Sequence, residues 1–421
     1  MNGKRFGQWR KIGASCYICH IPFLFKTKSF SMKVFSPSVL KKISVTLLAG
    51  TVALVAFGLT RPGAARFSQA ASQPAALKTD TVVTGLKNPW AVAILPNGDM
   101  LVTERGGTLR LVHNGKLDPN PIGDVPEVFA KGQGGLLEVA LHPNYAKNGY
   151  IYLTYASPAA PGEAGDADGA NTALLRAKLK NHKLVDKKVI FKATPNVKSN
   201  PHFGGRVVFD KGGYLYLSLG ERGQKEKSQD PMNHLGTVVR LFDDGRVPKD
   251  NPFAGNKKGL EEIYSYGHRN PQGLALDPTS GKIWEHEHGP QGGDEVNIVK
   301  KGANYGWPTI TYGINYDNTI ITNDTARAGM EQPVIFWRPS IAPCGMAFVT
   351  SPKFPDWKGD LLVGSLKFNY VMHCTVEGDQ VTKQEKILEG IGRVRTIREG
   401  ADGNIYVVAE NTGTVFRVSP M

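Results

Sequence analysis

Four short runs in this 421-residue chain concentrate side chains that do chemistry. Asn200 to Arg206 sets His202 among glycines that let a ligand approach the backbone. Imidazole titrates near pH ~6.5, so a neutral His202 is a candidate general base for a hydroxyl proton. Tyr264 to Gly273 places Arg269, Asn270 and Gln272 around a proline-fixed turn, a planar donor fork with two amides beside it. In Glu285 to Asn297, Gly289 and Pro290 offer backbone carbonyls to a hard cation such as calcium, which takes oxygen ligands. Asp294 and Glu295 of that run read first as a solvated turn, with binding of the same ion or a second one as the alternative, and His286 and His288 lack the spacing of a zinc site. Lys367, Arg393 and Arg395 form a late cationic set, and the i, i+2 arginines of a regular strand share one face. Three cations around one pocket call for an anion, and bidentate arginine pairing suits carboxylates. A hydrogen-bonded structural histidine and a solvated charged face stand as the alternative readings of His202 and of the cations.

These residues need elements to hold them, and a recurrent phrase supplies the pattern. A turn rich in Asp, Asn and Gly precedes an alternating strand that ends in a polar loop. It occurs at Leu95 to Arg105, Leu141 to Tyr155, Phe209 to Arg222, Leu276 to Glu287, Phe354 to Ser365 and Glu399 to Glu410. No long helical periodicity is present, and 48 Gly with 27 Pro suit many tight turns. The expected fold is all-β, a six-bladed β-propeller of four-stranded antiparallel blades. A lone blade cannot bury both faces, whereas a closed ring stacks each sheet on its neighbours. Loops bearing Gln133, His202, Arg269, Asn270, Lys367, Arg393 and Arg395 would then converge on one end of the central channel.

Charge divides the chain. The formal net charge is +14, yet residues 1–70 hold 11 Lys or Arg and no acidic residue, leaving 40 of the 51 basic side chains against 37 acidic ones. The basicity therefore belongs to a targeting segment and does not indicate a nucleic-acid partner. Lys33, Lys41 and Lys42 precede the uncharged run Ile43 to Thr60, with small residues following near Ala70. That is the layout of a secretory signal, with Met32 as the expected true start. The run has 18 residues diluted by Ser, Thr and Gly, short of a good membrane span, so export to the periplasm or medium is expected and membrane anchoring is the lesser reading. Cys16, Cys19 and His20 spell a haem-attachment motif but precede the signal and would be removed with it. Residues 71–80 read as a linker and 81–421 as a single catalytic propeller, monomeric or homodimeric. Cys344 and Cys374, the two cysteines of the mature chain, form either one disulfide or two buried thiols.

Taken together, the phrases KNPWAVAILPNGDMLVTERGG, GQGGLLEVALHPNY, HFGGRVVFD, LGTVVRLFDDG, YGHRNPQGLA, EHGPQGGDEVN, NYGWP and RVRTIREGADGNIYV resemble, in order, the glucose/sorbosone dehydrogenase family. The nearest branch is the soluble aldose sugar dehydrogenases that use pyrroloquinoline quinone (PQQ), and the resemblance spans about Thr84 to Val418. It implies His202 as catalytic base, Gln133 near substrate and quinone, and Arg269 beside the reactive quinone carbonyl. It further implies that Asn270, Lys367, Arg393 and Arg395 contact the cofactor, to which the Gln272 amide is added as a candidate contact, and that Gly289 and Pro290 ligate the calcium ion that also touches PQQ. The implied reaction oxidises an aldose to a lactone by hydride transfer, with electrons leaving to an external acceptor. Pro201 stands where the glucose-oxidising branch has an acidic residue, so the preferred sugar does not carry over. A calcium-dependent propeller lactonase or hydrolase, and a non-catalytic carbohydrate-binding propeller, are the competing functions.

Overall fold

The computed structural model describes residues 76–421. The secretory-signal, Met32 and haem-motif readings lie outside those residues. Among the described residues, no helix is long and apolar enough to cross a membrane.

Each repeated phrase becomes the turn and second strand of one blade. In the first, Gly98 adopts φ +86°, which favours glycine, and Asn97 Oδ1 accepts the Asp99 N–H at 3.1 Å. The reversal joins strand Pro89–Ile94 to Met100–Glu104. Asp402 and Gly403 repeat this device between Val394–Glu399 and Ile405–Ala409. The result is six four-stranded antiparallel sheets, as expected from the phrase count.

The first strands are Pro89–Ile94, Leu136–Leu141, Val207–Phe209, Pro271–Leu276, Pro343–Phe348 and Val394–Glu399. Each touches the first strand of both neighbouring blades, so they line the axis and close a ring. Burial falls outward: second strands such as Leu361–Ser365 are buried throughout, whereas the fourth strand of that blade, Gln380–Ile387, is mostly exposed. Stacking of apolar faces between blades, at about 1.5–3 kcal/mol per fully buried aliphatic side chain, holds the ring.

The seam is closed by the amino-terminal strand. Leu77–Val83 pairs with Thr414–Pro420, Leu77 opposite Pro420 and Thr79 opposite Val418, and completes the sixth blade. Residues 77–80, read from sequence as the end of a linker, are thus part of the ring. Without this strand, Thr414–Pro420 would be left as an unpaired edge with its backbone groups exposed.

Across the axis lies Arg206, a wholly buried guanidinium that meets all five other blades. It lies over the Trp90 ring at 3.8 Å, and donates to Glu138 at 3.2 Å, to the Gln272 carbonyl at 2.8 Å and to Thr396 at 2.8 Å. It also reaches the Arg395 carbonyl and, at 3.4 Å, Cys344 Sγ. A charge this deep is tolerable only because it is paired and its donors are used.

Candidate active site

At one end of the axis, five of the six first strands are broken by a register shift near their start. The shifted positions include Trp90, Leu137, Gln272 and Arg395, and these four side chains line a single cavity of about 290 Å³. A β-bulge re-aims a side chain that regular alternation would send elsewhere. Arg395 therefore shares the cavity with Arg393 across a bulge, and not because the two lie on one face of a regular strand as the i, i+2 spacing suggested.

His202 is not itself among the residues lining this cavity, but its chain neighbour Phe203 and its hydrogen-bond partner Gln133 are. Its φ of +59° is unusual for a non-glycine residue. The Gln133 side-chain oxygen accepts the His202 N–H at 2.8 Å, and the Asn270 side-chain oxygen accepts the Gly204 N–H at 3.1 Å. Those two amides pin the turn. His202 Nδ1 lies 2.9 Å from Glu221 Oε1, and Glu221 is buried. The carboxylate is an acceptor, so Nδ1 carries the hydrogen and Nε2 is left as the free basic nitrogen. Burial lowers the His202 pKa; Glu221 opposes that, while Arg269 and Arg222 reinforce it.

The same cavity is lined by cations, Arg105, Arg393 and Arg395. Arg395 binds Glu410 at 2.7 Å, and Arg393 lies 3.8 Å from the same oxygen. Arg105 approaches Glu410 at 3.9 Å. Burial works against ionisation of Glu410, but the three arginines hold its carboxyl below the ordinary value. Lys367 does not line this cavity; it faces an adjoining open groove of about 850 Å³ that shares Arg393 and Ala342 with it. The cavity and groove together thus present Lys367, Arg393 and Arg395 to an anion. A planar tricarboxylate such as PQQ fits that donor set.

Arg269 turns into a smaller neighbouring cavity. It donates to the carbonyls of His288 at 3.0 Å and Gly289 at 2.9 Å, while its buried Nε has no partner within the protein. A buried N–H without an acceptor is one that a bound carbonyl would satisfy. Gly289 is required where it stands, since a Cβ there would meet the Gly292 carbonyl at 2.3 Å. Its carbonyl and that of Pro290 suit calcium, although Arg269 already uses one lone pair of Gly289. A cation at this place would need further oxygens from the bound ligand or water.

Asp294 is not in a solvated turn. It is fully buried, and its carboxylate accepts from Gly289 N at 2.9 Å, Ser340 Oγ at 2.7 Å and Ile341 N at 2.7 Å. It ties the Gly289–Pro290 loop to the next blade, which a hydrophilic sequence window could not reveal. Behind it, His268, Glu285 and Glu287 bring ligand atoms within 4.8 Å of one another. Burial, with Glu287 nearby, pushes Glu285 well up and Glu295 to about 8. Glu287 itself accepts the Arg269 and Asn270 N–H groups and so shapes that turn.

Glu221, Glu410, Arg105 and Glu287 were not singled out from sequence. A signal existed, because all four lie at or within one residue of the end of a repeated phrase, where the second strand of each blade reaches the cavity end of the ring. Among the described residues Cys344, on the axis, and Cys374, within the fifth blade, are free buried thiols.

Residues 86–417 match the Glucose / Sorbosone dehydrogenase family model. An aldose sugar dehydrogenase of Escherichia coli (strain K12) is 45% identical over 354 residues, 82% of this chain and 94% of that protein. The crystal structure of the soluble E. coli enzyme in its apo-form superposes with a TM-score of 0.77 at 42% identity, covering 82% of this chain and 100% of the other. The PQQ-bound aldose sugar dehydrogenase of Streptomyces coelicolor gives 0.68 at 29% identity, covering 82% and 99%. With its six blades, its buried histidine–carboxylate pair and this match over nearly the whole ring, the chain belongs to the glucose/sorbosone dehydrogenase family.

Proposed function

We propose that the protein is a PQQ- and calcium-dependent dehydrogenase that oxidises aldoses to lactones and passes the electrons to an external acceptor. The observation that carries the reading is His202, backed by buried Glu221 and joined to Gln133 and Phe203, two residues lining the cavity that Arg393 and Arg395 also line. When bound, PQQ supplies the two-electron carbon centre that receives hydride from the anomeric carbon. His202 Nε2 takes the anomeric hydroxyl proton, and Glu221 stabilises the imidazolium that forms. Gln133 holds the His202 backbone, and Asn270 the neighbouring Gly204, so the base does not drift as it charges. Arg393, Arg395 and Lys367 bind carboxylates, Gln272 and Asn270 offer amides, and the Arg269 guanidinium lowers the energy of negative charge developing near it. The carbonyls of Gly289 and Pro290 would hold calcium beside the cofactor, where the ion supplies Lewis acidity. Among the described residues no haem or iron–sulfur cysteine pattern is present, so an external acceptor completes the cycle. A soluble, exported enzyme follows from the sequence reading of residues 1–70.

The test is reconstitution of the purified chain with PQQ and calcium chloride, followed by a panel of aldoses with an artificial dye. Dye reduction with at least one aldose, dependent on both additions, is expected. No reduction with any aldose, together with hydrolysis of a lactone, would replace this reading by the hydrolase.

A further inference from the structure

A further buried cation contacts the turn that carries the base, and the reaction outlined above has no use for it. Arg222 is fully buried, and among the described residues no carboxylate oxygen lies within 4.0 Å of it. Removing an unpaired guanidinium from water is expensive, so a chain keeps one only where it performs a task. Its partners show the task. Nη1 donates to the Pro201 carbonyl, and Nη2 to the Ser199 carbonyl at 2.6 Å. The guanidinium carbon stacks 3.4 Å from the Phe203 ring centroid, and Nε has no acceptor. The three residues it touches are therefore Ser199, Pro201 and Phe203, which bracket His202.

The backbone geometry gives the clamp a reason. His202 and Arg222 both adopt φ +59°, a left-handed conformation that non-glycine residues avoid. A Cβ at Gly220 would lie 2.2 Å from the His202 carbonyl, so the two segments press together with no slack. A turn held in a sparsely populated conformation persists only when its surroundings over-determine it.

We infer that Arg222 is a positioning residue for the general base, clamping the Ser199–Phe203 turn by two carbonyls while keeping a fixed positive charge behind the imidazole. The inference rests on His202 being the base. The charge acts against Glu221, which is adjacent in sequence and favours the imidazolium. Around His202 the charged groups are Glu221 and Arg222, after strand Leu215–Leu219, and Arg269, before Pro271–Leu276; Gln133, before Leu136–Leu141, is neutral. Arg222 and Arg269 both disfavour protonation of the ring, so the base stays ready at lower pH than a lone histidine–carboxylate pair would.

The test uses Arg222→Met and Arg222→Lys in the full chain. The His202 ring resonance, assigned by its loss in His202→Ala, is titrated by NMR without cofactor, and kcat is measured with PQQ and calcium. Met removes charge and clamp: the His202 titration moves to higher pH, the acid limb of kcat follows it, and kcat falls about tenfold or more. Lys keeps the charge but cannot hold two carbonyls in one plane: the titration stays near wild type while kcat still falls. PQQ binding, followed by fluorescence, stays within about twofold in both, since neither residue lies on the arginine wall. A folded Met variant with wild-type titration and kcat overturns the inference. If the Met variant does not fold, wild-type kcat in the Lys variant overturns it. Absence of dye reduction by the wild-type protein is a separate result, which defeats the dehydrogenase reading and leaves the titration to decide Arg222.

Discussion

His202 Nδ1 sits 2.9 Å from Oε1 of Glu221, whose other oxygen accepts the Gly223 N–H, so a buried carboxylate fixes both the tautomer and the ring plane of the base. Glu221→Gln keeps the shape and removes the charge. Turnover is expected to fall by about 10²-fold or more, because the amide no longer stabilises the imidazolium. The sign of the pH effect follows from the forces on the ring. Burial lowers the His202 pKa, so the acid limb of wild-type kcat/KM lies below pH ~6.5 and activity is lost as pH falls through the lowered value. Glu221 raises that value, so its loss moves the limb to still lower pH. A limb that moves upward would contradict the pairing.

His202→Ala removes the proton acceptor while leaving the cationic wall intact. Turnover should drop by about 10²- to 10⁴-fold, with PQQ affinity within a few-fold of wild type. Fluorescence titration and steady-state dye reduction on one preparation separate the two effects. Retained turnover would remove His202 from the base role.

Replacing Arg393 and Arg395 together by Ala should weaken PQQ binding. A hydrogen bond to a charged group contributes about 1.5–3 kcal/mol, so each arginine accounts for roughly 10- to 150-fold in affinity. Arg395→Ala should be the more damaging single change, because it also strips Glu410 of its 2.7 Å partner, whereas Arg393 is nearly half exposed. Equal affinity in the double variant would refute the assignment.

Arg206→Met tests the axial hub. Glu138 keeps Arg398 at 2.8 Å but loses Arg206, and the carbonyls of Gln272 and Arg395 lose their guanidinium donor and keep only the weak Cys344 thiol. A loss of about 3 kcal/mol or more in urea unfolding is expected. A stability change under about 0.5 kcal/mol, as at an ordinary surface position, would show that the ring closes without the hub.

The blade count was legible in the sequence because each Asp/Asn/Gly reversal is a local event: a Gly98 or a Gly403 at positive φ marks one first-to-second strand turn wherever it occurs. His202, Gln133, Asn270, Gln272, Arg393 and Arg395 were legible as candidates because their side chains are chemically conspicuous. What no local pattern carried was their company. Arg206 meets Thr396 across 190 residues, Glu221 meets His202 across the hairpin of Val207–Phe209 and Leu215–Leu219, and Asp294 reaches Ser340 in a different loop. Register shifts decide that Trp90, Leu137, Gln272 and Arg395 point into one cavity. Residue type and turn chemistry are set by neighbours in the chain, so the sequence determined the fold and the cast of charged groups. Which charges face each other, which are buried, and which are left without a partner depend on how six sheets close around an axis, and only the tertiary structure decided that.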